Sequence, residues 1–198
     1  MFLIATGGII GIIVGGVILI CLLVTVFWFI AKHNYFRRME IKIDESASDI
    51  DVALNRRFDL LTKEYEICKG YAKHESATLS EIIRMRQAPS SSKEGKVDME
   101  KLSRINDGLN RLAGDIHVTM EQYPNLKADK VFLSLAESCR DVEEHLEAAR
   151  RLYNSNVSLY NQEIVVFPSS IVASFAHCQK RELFKVEEGK SKDVKLEF

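Results

Sequence analysis

Ile43-Asp44-Glu45-Ser46-Ala47-Ser48-Asp49-Ile50-Asp51-Val52-Ala53-Leu54 decides the fold class. Its apolar residues recur every three or four positions, and the step continues through Phe58, Leu61, Tyr65, Cys68 and Ala72 to Leu79 and Ile82. Such spacing returns to one side of an α-helix, whereas a strand would alternate with period two. The result is a helical stripe close to a heptad, with polar residues on the other side.

Two further stripes follow. Leu102, Ile105, Leu109, Leu112, Ile116, Met120 and Tyr123 form one, stopped by Pro124-Asn125. Phe132, Leu135, Cys139, Val142, Leu146, Ala149, Tyr153, Asn156, Tyr160, Ile164 and Phe167 form the other, closed by Pro168. Between the first two, residues 88–95 carry Pro, three serines and Gly, a loop signal. Ser169 or Ser170 is placed to cap a short apolar turn from Ile171 to Phe175. With only three prolines and abundant Leu, Glu, Arg, Lys and Ala, the composition suits helix throughout.

Outward toward the N-terminus the character changes. The first charged residue is Lys32, and residues 1–31 are apolar, Gly or small hydroxyl residues. About 20 such residues span the roughly 30 Å hydrocarbon core of a bilayer as a helix. The run lacks the basic start of a cleaved signal peptide and is longer than its apolar core. Phe27, Trp28 and Phe29 suit the headgroup level, and Lys32, Arg37, Arg38 and Lys42 follow. Positive charge on that side alone predicts Met1 outside and the rest of the chain in the cytoplasm. Gly7, Gly11 and Gly15 repeat at four-residue steps, which would let two copies of the segment pack as a homo-oligomer.

The expected architecture is all-α. A single transmembrane helix (1–31) is followed by an antiparallel up-and-down bundle of three to four long helices (32–176). A charged, flexible tail (177–198) closes the chain. At 1.5 Å per residue, a continuous helix from His33 to Ala88 would reach about 80 Å, against about 40 Å and about 60 Å for the other two. Helices so unequal leave part of the first stripe uncovered. Either the first helix breaks between Leu60 and Glu75, or another chain covers its stripe. The break is favoured, with Lys69-Gly70 as the weak point and Thr78 with Glu81 as a capping box that restarts the helix.

A net charge of −1 gives no electrostatic case for nucleic-acid binding. Cys21 lies in the apolar segment, and Cys68, Cys139 and Cys178 show no paired spacing. Cys68 and Cys139 read as small core residues. His74-Glu75 does not begin a zinc-protease motif, because Thr78 stands where a second His is needed. His117, His145 and His177 show no ligand spacing, and no Gly-rich phosphate loop occurs. The expectation is a protein that is not an enzyme and binds no cofactor or metal. Its partners are then the lipid bilayer and a protein of unknown identity.

Several local patterns resemble one family. Ile50-Asp51-Val52-x-Leu54-x-Arg56-Arg57-x-Asp59-Leu60-Leu61 is similar to the signature IDVxLxRRxDLI of LemA family proteins. Lys69-Gly70-Tyr71-Ala72-x-His74-Glu75 resembles their KGYxxHE, and Tyr123-Pro124-x-Leu126-Lys127-Ala128 their YPxLKA. Ala149-Arg150-x-x-Tyr153-Asn154, Tyr160-Asn161 and Phe167-Pro168 complete the set in the same order. The chain departs from the family at Leu61-Thr62, where Ile-Pro is usual, at Ala47 for a frequent Trp, and at Ala176-His177-Cys178 for Gly-Phe-Lys. The resemblance implies a bacterial, membrane-anchored helical bundle with no established enzymatic chemistry.

Physical reading of these motifs points to structural roles. Tyr153-Asn154 and Tyr160-Asn161 are one heptad apart and share a helix face. A buried Tyr hydroxyl needs a partner, and Asn can supply one. Arg56, Arg57 and Asp59 lie beside the first stripe, so a polar network with Tyr or Asn of the last helix is expected. The leading functional expectation is a scaffold or interaction protein of the cell membrane. The alternatives are an accessory regulator of a membrane protease or signalling complex, and a membrane-surface structural protein using Ile171 to Phe175 with Lys180 and Arg181.

Overall fold

The computed structural model describes residues 2–71, 77–88 and 97–185. These form six helices and no strand: α1 (Phe2–Lys69), α2 (Ala77–Gln87), α3 (Met99–Gln122), α4 (Pro124–Lys127), α5 (Lys130–Glu163) and α6 (Ser169–Phe175). The all-α class read from the stripes is the class observed. The chain divides into two compact units: Met1–Ile41 with Leu159–Arg181, and Lys42–Ser158 with Glu182–Phe198.

Helix α1 runs unbroken from the apolar segment into the first stripe and stops at Lys69. Its end falls at the expected Lys69-Gly70 weak point. There Gly70 N–H bonds the Ile67 carbonyl at 3.1 Å and Tyr71 N–H the Cys68 carbonyl at 3.0 Å. These tight i→i+3 bonds satisfy carbonyls that a helix end would leave unpaired. At Leu61-Thr62 the helix simply continues, with Thr62 Oγ1 donating to the Phe58 carbonyl at 2.8 Å. Without Pro, nothing there removes a helical hydrogen bond.

In the second unit the first stripe is covered by the chain itself. Ile43, Ile50, Leu54, Leu61 and Cys68 are buried, together with Leu79 and Ile82 of α2. Leu102, Leu109 and Leu112 of α3 and Phe132, Val142 and Leu146 of α5 are buried as well. The intrachain solution to the length mismatch therefore holds. Helices α2 and α3 approach closely at Gly108, where an added Cβ would lie 2.8 Å from Ile82 Cγ1. Asp98 caps α3 by accepting from Lys101 N–H at 3.0 Å. Asp129 Oδ1 does the same for α5, accepting from Val131 and Phe132 N–H at 2.8 and 3.0 Å. Thr78 is not a cap: it lies inside α2, its hydroxyl 3.5 Å from Asp115 Oδ2. The position before α2 lies outside the described residues, as does the 89–95 part of the expected loop.

In the first unit, residues 11–31 are exposed except for a half-buried Phe29. This part of α1 is long and apolar enough to cross a membrane. Below it Phe36 and Tyr160 are buried edge to face, with ring centroids 6.5 Å apart. Lys32 Nζ and Glu163 Oε2 pair at 2.7 Å. Pro168, rather than a serine, precedes α6; Ser169 is its first residue and is buried. The helix ends in a left-handed turn at His177 (φ 52°), with Cys178 N–H bonding the Ala173 carbonyl at 2.9 Å. That is the Schellman pattern, which usually places Gly where His177 stands.

Candidate functional site: a polar joint and a main-chain clamp

The phase of α1 separates the two adjacent arginines of the first motif. Arg57 lies three residues after Leu54 and four before Leu61, on the stripe, and is 7% exposed. Arg56 points out and lines an open groove of about 400 Å³ with Val52, Val142 and His145. Asp59 is also exposed.

Burial of the Arg57 guanidinium demands partners, and α3 and α5 supply them. Its Nη2 pairs with Glu143 Oε2 at 2.8 Å and its Nη1 donates to Asn106 Oδ1 at 3.2 Å. Arg150 of α5 donates to the same Asn106 oxygen. Asn106 is fully buried, its Nδ2 3.4 Å from Asp107 Oδ1. One amide oxygen thus receives two guanidinium groups from different helices, a joint at the centre of the second unit. Desolvation lowers the pKa of both arginines, opposed for each by the Glu143 carboxylate. The expected partners of Arg57 were Tyr or Asn residues of the last helix; the Asn comes from α3 instead.

Two turns away from Arg57 along α1, Glu64 is 4% exposed beside Cys139 and Cys68. Burial raises the Glu64 carboxyl above the usual carboxylate range, and a hydrogen bond with Cys139 works against that shift. Burial, with the Glu64 charge nearby, pushes the Cys68 thiol up to about 11 and Cys139 to about 12. Both thiols are therefore protonated and unreactive near neutral pH. Among the described residues, no group of three His, Cys, Asp or Glu side chains could hold a metal ion.

The Tyr-Asn pairs of α5 act on main chain. In the second unit, Tyr153 Oη donates to the Glu182 carbonyl at 2.9 Å. Asn154 grips Phe184 twice: Oδ1 accepts from its N–H at 2.8 Å and Nδ2 donates to its carbonyl at 3.2 Å. In the first unit, Asn161 grips Arg181 in the same two-bond way, at 2.9 and 2.8 Å. Tyr160 differs from Tyr153, because its hydroxyl donates to Glu40 Oε1 of α1 at 3.1 Å. Burial and the hydrogen bonds around it raise the Tyr160 pKa. The segment placed in a flexible tail is thus, as far as Lys185, an extended strap held on α5. Residues 186–198 lie outside the described set.

The remaining motif residues fall at helix ends. Gly70 and Tyr71 end α1, and the Tyr71 ring lies 6.2 Å from that of Tyr123. Tyr123 caps α3, and Pro124 opens α4 at a position that needs no N–H donor. Two motifs distant in sequence therefore meet. His74 and Glu75 lie outside the described residues. Phe167 is 77% exposed, with Pro168 following it.

Comparison with known proteins agrees with these motifs. The model of the LemA family matches residues 46–198. The chain belongs to the LemA family. It is also similar to Protein LemA of Metamycoplasma hominis, at 30% identity over 162 residues, 81% of this chain and 69% of that protein. Within this LemA family chain, sequence reasoning missed Asn106, Glu143, Glu64 and Phe184. Asn106 and Glu64 carried a visible signal, a polar residue in the phase of an apolar stripe. Glu143 and Phe184 carried none.

Proposed function

We propose that this LemA family chain is a membrane-anchored, non-enzymatic interaction or scaffold protein. The observation that carries the reading is the use made of the motif side chains. Arg57, Tyr153, Asn154, Tyr160 and Asn161 are each bonded to another part of the same chain. Groups committed in this way hold helices and strap in place, leaving the outer helix faces for partners. The exposed apolar part of α1 suits a single crossing of the cell membrane. Its one-sided basic flank favours Met1 outside and the helical domain in the cytoplasm.

Crosslinking of the full chain in its own membrane, followed by mass spectrometry, tests this reading. Recovery of one protein in stoichiometric yield is expected. A protease or signalling protein in that position would favour the accessory-regulator alternative. Turnover by the purified chain in a broad substrate and metal panel would overturn the non-enzymatic reading.

A membrane-surface role has its own support within the first unit. Val165, Val166, Phe167, Ile171 and Phe175 are exposed apolar residues on and before α6. Phe175 meets Phe29 edge to face, with ring centroids 5.9 Å apart, near the end of the apolar segment. Such a cluster suits the headgroup–acyl boundary. Quenching of Trp28 by brominated lipid reports the segment's own depth. A fluorophore at Phe167 quenched as well would support this second role; an unquenched one would remove it.

A further inference from the structure

Among the described residues of the second unit, helix side chains make four hydrogen bonds to strap main chain. Tyr153 Oη holds the Glu182 carbonyl at 2.9 Å, and Asn154 holds both Phe184 N–H and carbonyl at 2.8 and 3.2 Å. Ser103 Oγ of α3 holds the Lys185 carbonyl at 2.8 Å. Main-chain groups are the same in every peptide, so these contacts select an extended conformation and not a sequence. Selectivity falls to one side chain. Phe184 is 5% exposed, whereas Glu182, Leu183 and Lys185 are exposed. The Arg150 guanidinium lies over the Phe184 ring, 5.2 Å from its centroid, which favours an aromatic occupant over an aliphatic one. Helices α3 and α5 thus present a backbone-reading edge and one aromatic socket.

We propose that this groove is a peptide-recognition site for an extended segment of a partner protein with an aromatic side chain at the position of Phe184. The chain's own residues 182–185 are its built-in occupant. The proposal rests on the interaction-protein reading and names the kind of partner. A tethered occupant competes at an effective concentration of the order of millimolar. The groove therefore accepts a partner only when the strap is displaced, or when the partner's segment binds more tightly.

The test uses the full chain in detergent micelles and a fluorescein-labelled synthetic peptide of residues 180–185, read by anisotropy. Phe184→Ala vacates the socket. Saturable binding to this variant is expected, at least tenfold tighter than to the unaltered chain. A tenfold or greater loss is expected when the peptide's Phe is replaced by Ala, or when Asn154→Ala is added to the variant. Equal affinity for both peptides, or no binding to a Phe184→Ala chain of unchanged helical content, would overturn the groove.

If Phe184→Ala does not fold, the unaltered chain serves. Excess Phe peptide should speed hydrogen exchange at the Phe184 amide and the Ala peptide should not; identical rates overturn the proposal. Recovery of a crosslinked partner without any peptide binding would discard the groove and leave the interaction reading standing.

Discussion

Two stretches of α5 lie next to each other and work in opposite ways. At Glu143 and Arg150, side chains bind side chains: Glu143 pairs with Arg57, and Arg150 donates to Asn106 while its guanidinium also covers the Phe184 ring. At Tyr153 and Asn154, side chains bind main chain, and the partner could be any residue but for the buried Phe184 ring. The first arrangement specifies which helices pack and in what register. The second holds whatever extended segment lies there. A buried polar joint is intolerant because each member left alone is an unsatisfied buried group. A clamp on main chain loses only its own bonds when a member is removed, since the freed strap regains water.

The largest effect is therefore expected at the joint. Arg57→Ala strips Glu143 of its ion pair and leaves Asn106 to Arg150 alone. Removing one partner of a buried ion pair costs about 3 kcal/mol, and more where both partners are fully desolvated. Glu143 is about one-third exposed, which argues for that lower figure. Urea unfolding of the full chain in micelles, followed by far-UV circular dichroism, measures it. A loss below about 0.5 kcal/mol would mean that the joint is not a specifying element.

Asn154→Ala should weaken the chain less, and locally. Two hydrogen bonds to the strap vanish, at about 1 kcal/mol each. Because the strap can open without the helices, most of that loss should appear as faster hydrogen exchange at the Phe184 amide, by about tenfold or more. The urea midpoint should move little. Should Asn154→Ala lower global stability as far as Arg57→Ala, the distinction between joint and clamp would fail.

What the sequence reveals follows the same division. Stripes at helical spacing identify the core because burial of Ile50, Leu54, Leu109 and Leu146 depends only on phase along each helix. Phase also separates Arg57 from Arg56, and it marks Asn106 and Glu64 as polar residues facing inward. The end of α1 at Gly70 is legible from a local cost. The strap is not. Its register on α5 joins residues 30 apart, as in the Asn154–Phe184 pair, and no periodicity of an extended charged segment announces it. Which residues of α3 and α5 meet Arg57 is likewise a tertiary fact, fixed only once the helices are placed.

Glu64 offers a smaller and opposite effect, because it sits in the joint's unit with a poor set of partners. Among the described residues its Oε1 has no hydrogen-bond partner. Its carboxyl is raised by burial, so the folded state holds the proton more tightly than the unfolded one. Stability is then greatest below the usual carboxylate range and falls as pH rises from there through the raised value. Glu64→Gln removes the charge and keeps the shape. At pH 7 it should raise the melting temperature by a few degrees, about 1 kcal/mol, and flatten the decline with rising pH. An unchanged pH profile would show that the carboxylate is solvated in place.

The smallest effect tests whether the strap's entry is set by backbone rather than by side chains. His177 holds φ at 52°, a left-handed conformation that costs an L-residue about 1–2 kcal/mol relative to the right-handed regions. Its side chain is exposed, so removing it sacrifices no packing. Glycine adopts that φ freely, but it also widens the unfolded ensemble, by about 0.4–1 kcal/mol. The net expectation for His177→Gly is a gain of about 0.5 kcal/mol. It should appear as slower exchange at the Cys178 amide, which bonds the Ala173 carbonyl across the turn. Faster exchange there would mean that the imidazole itself holds the turn, and that the strap begins with a side-chain contact like those of the joint.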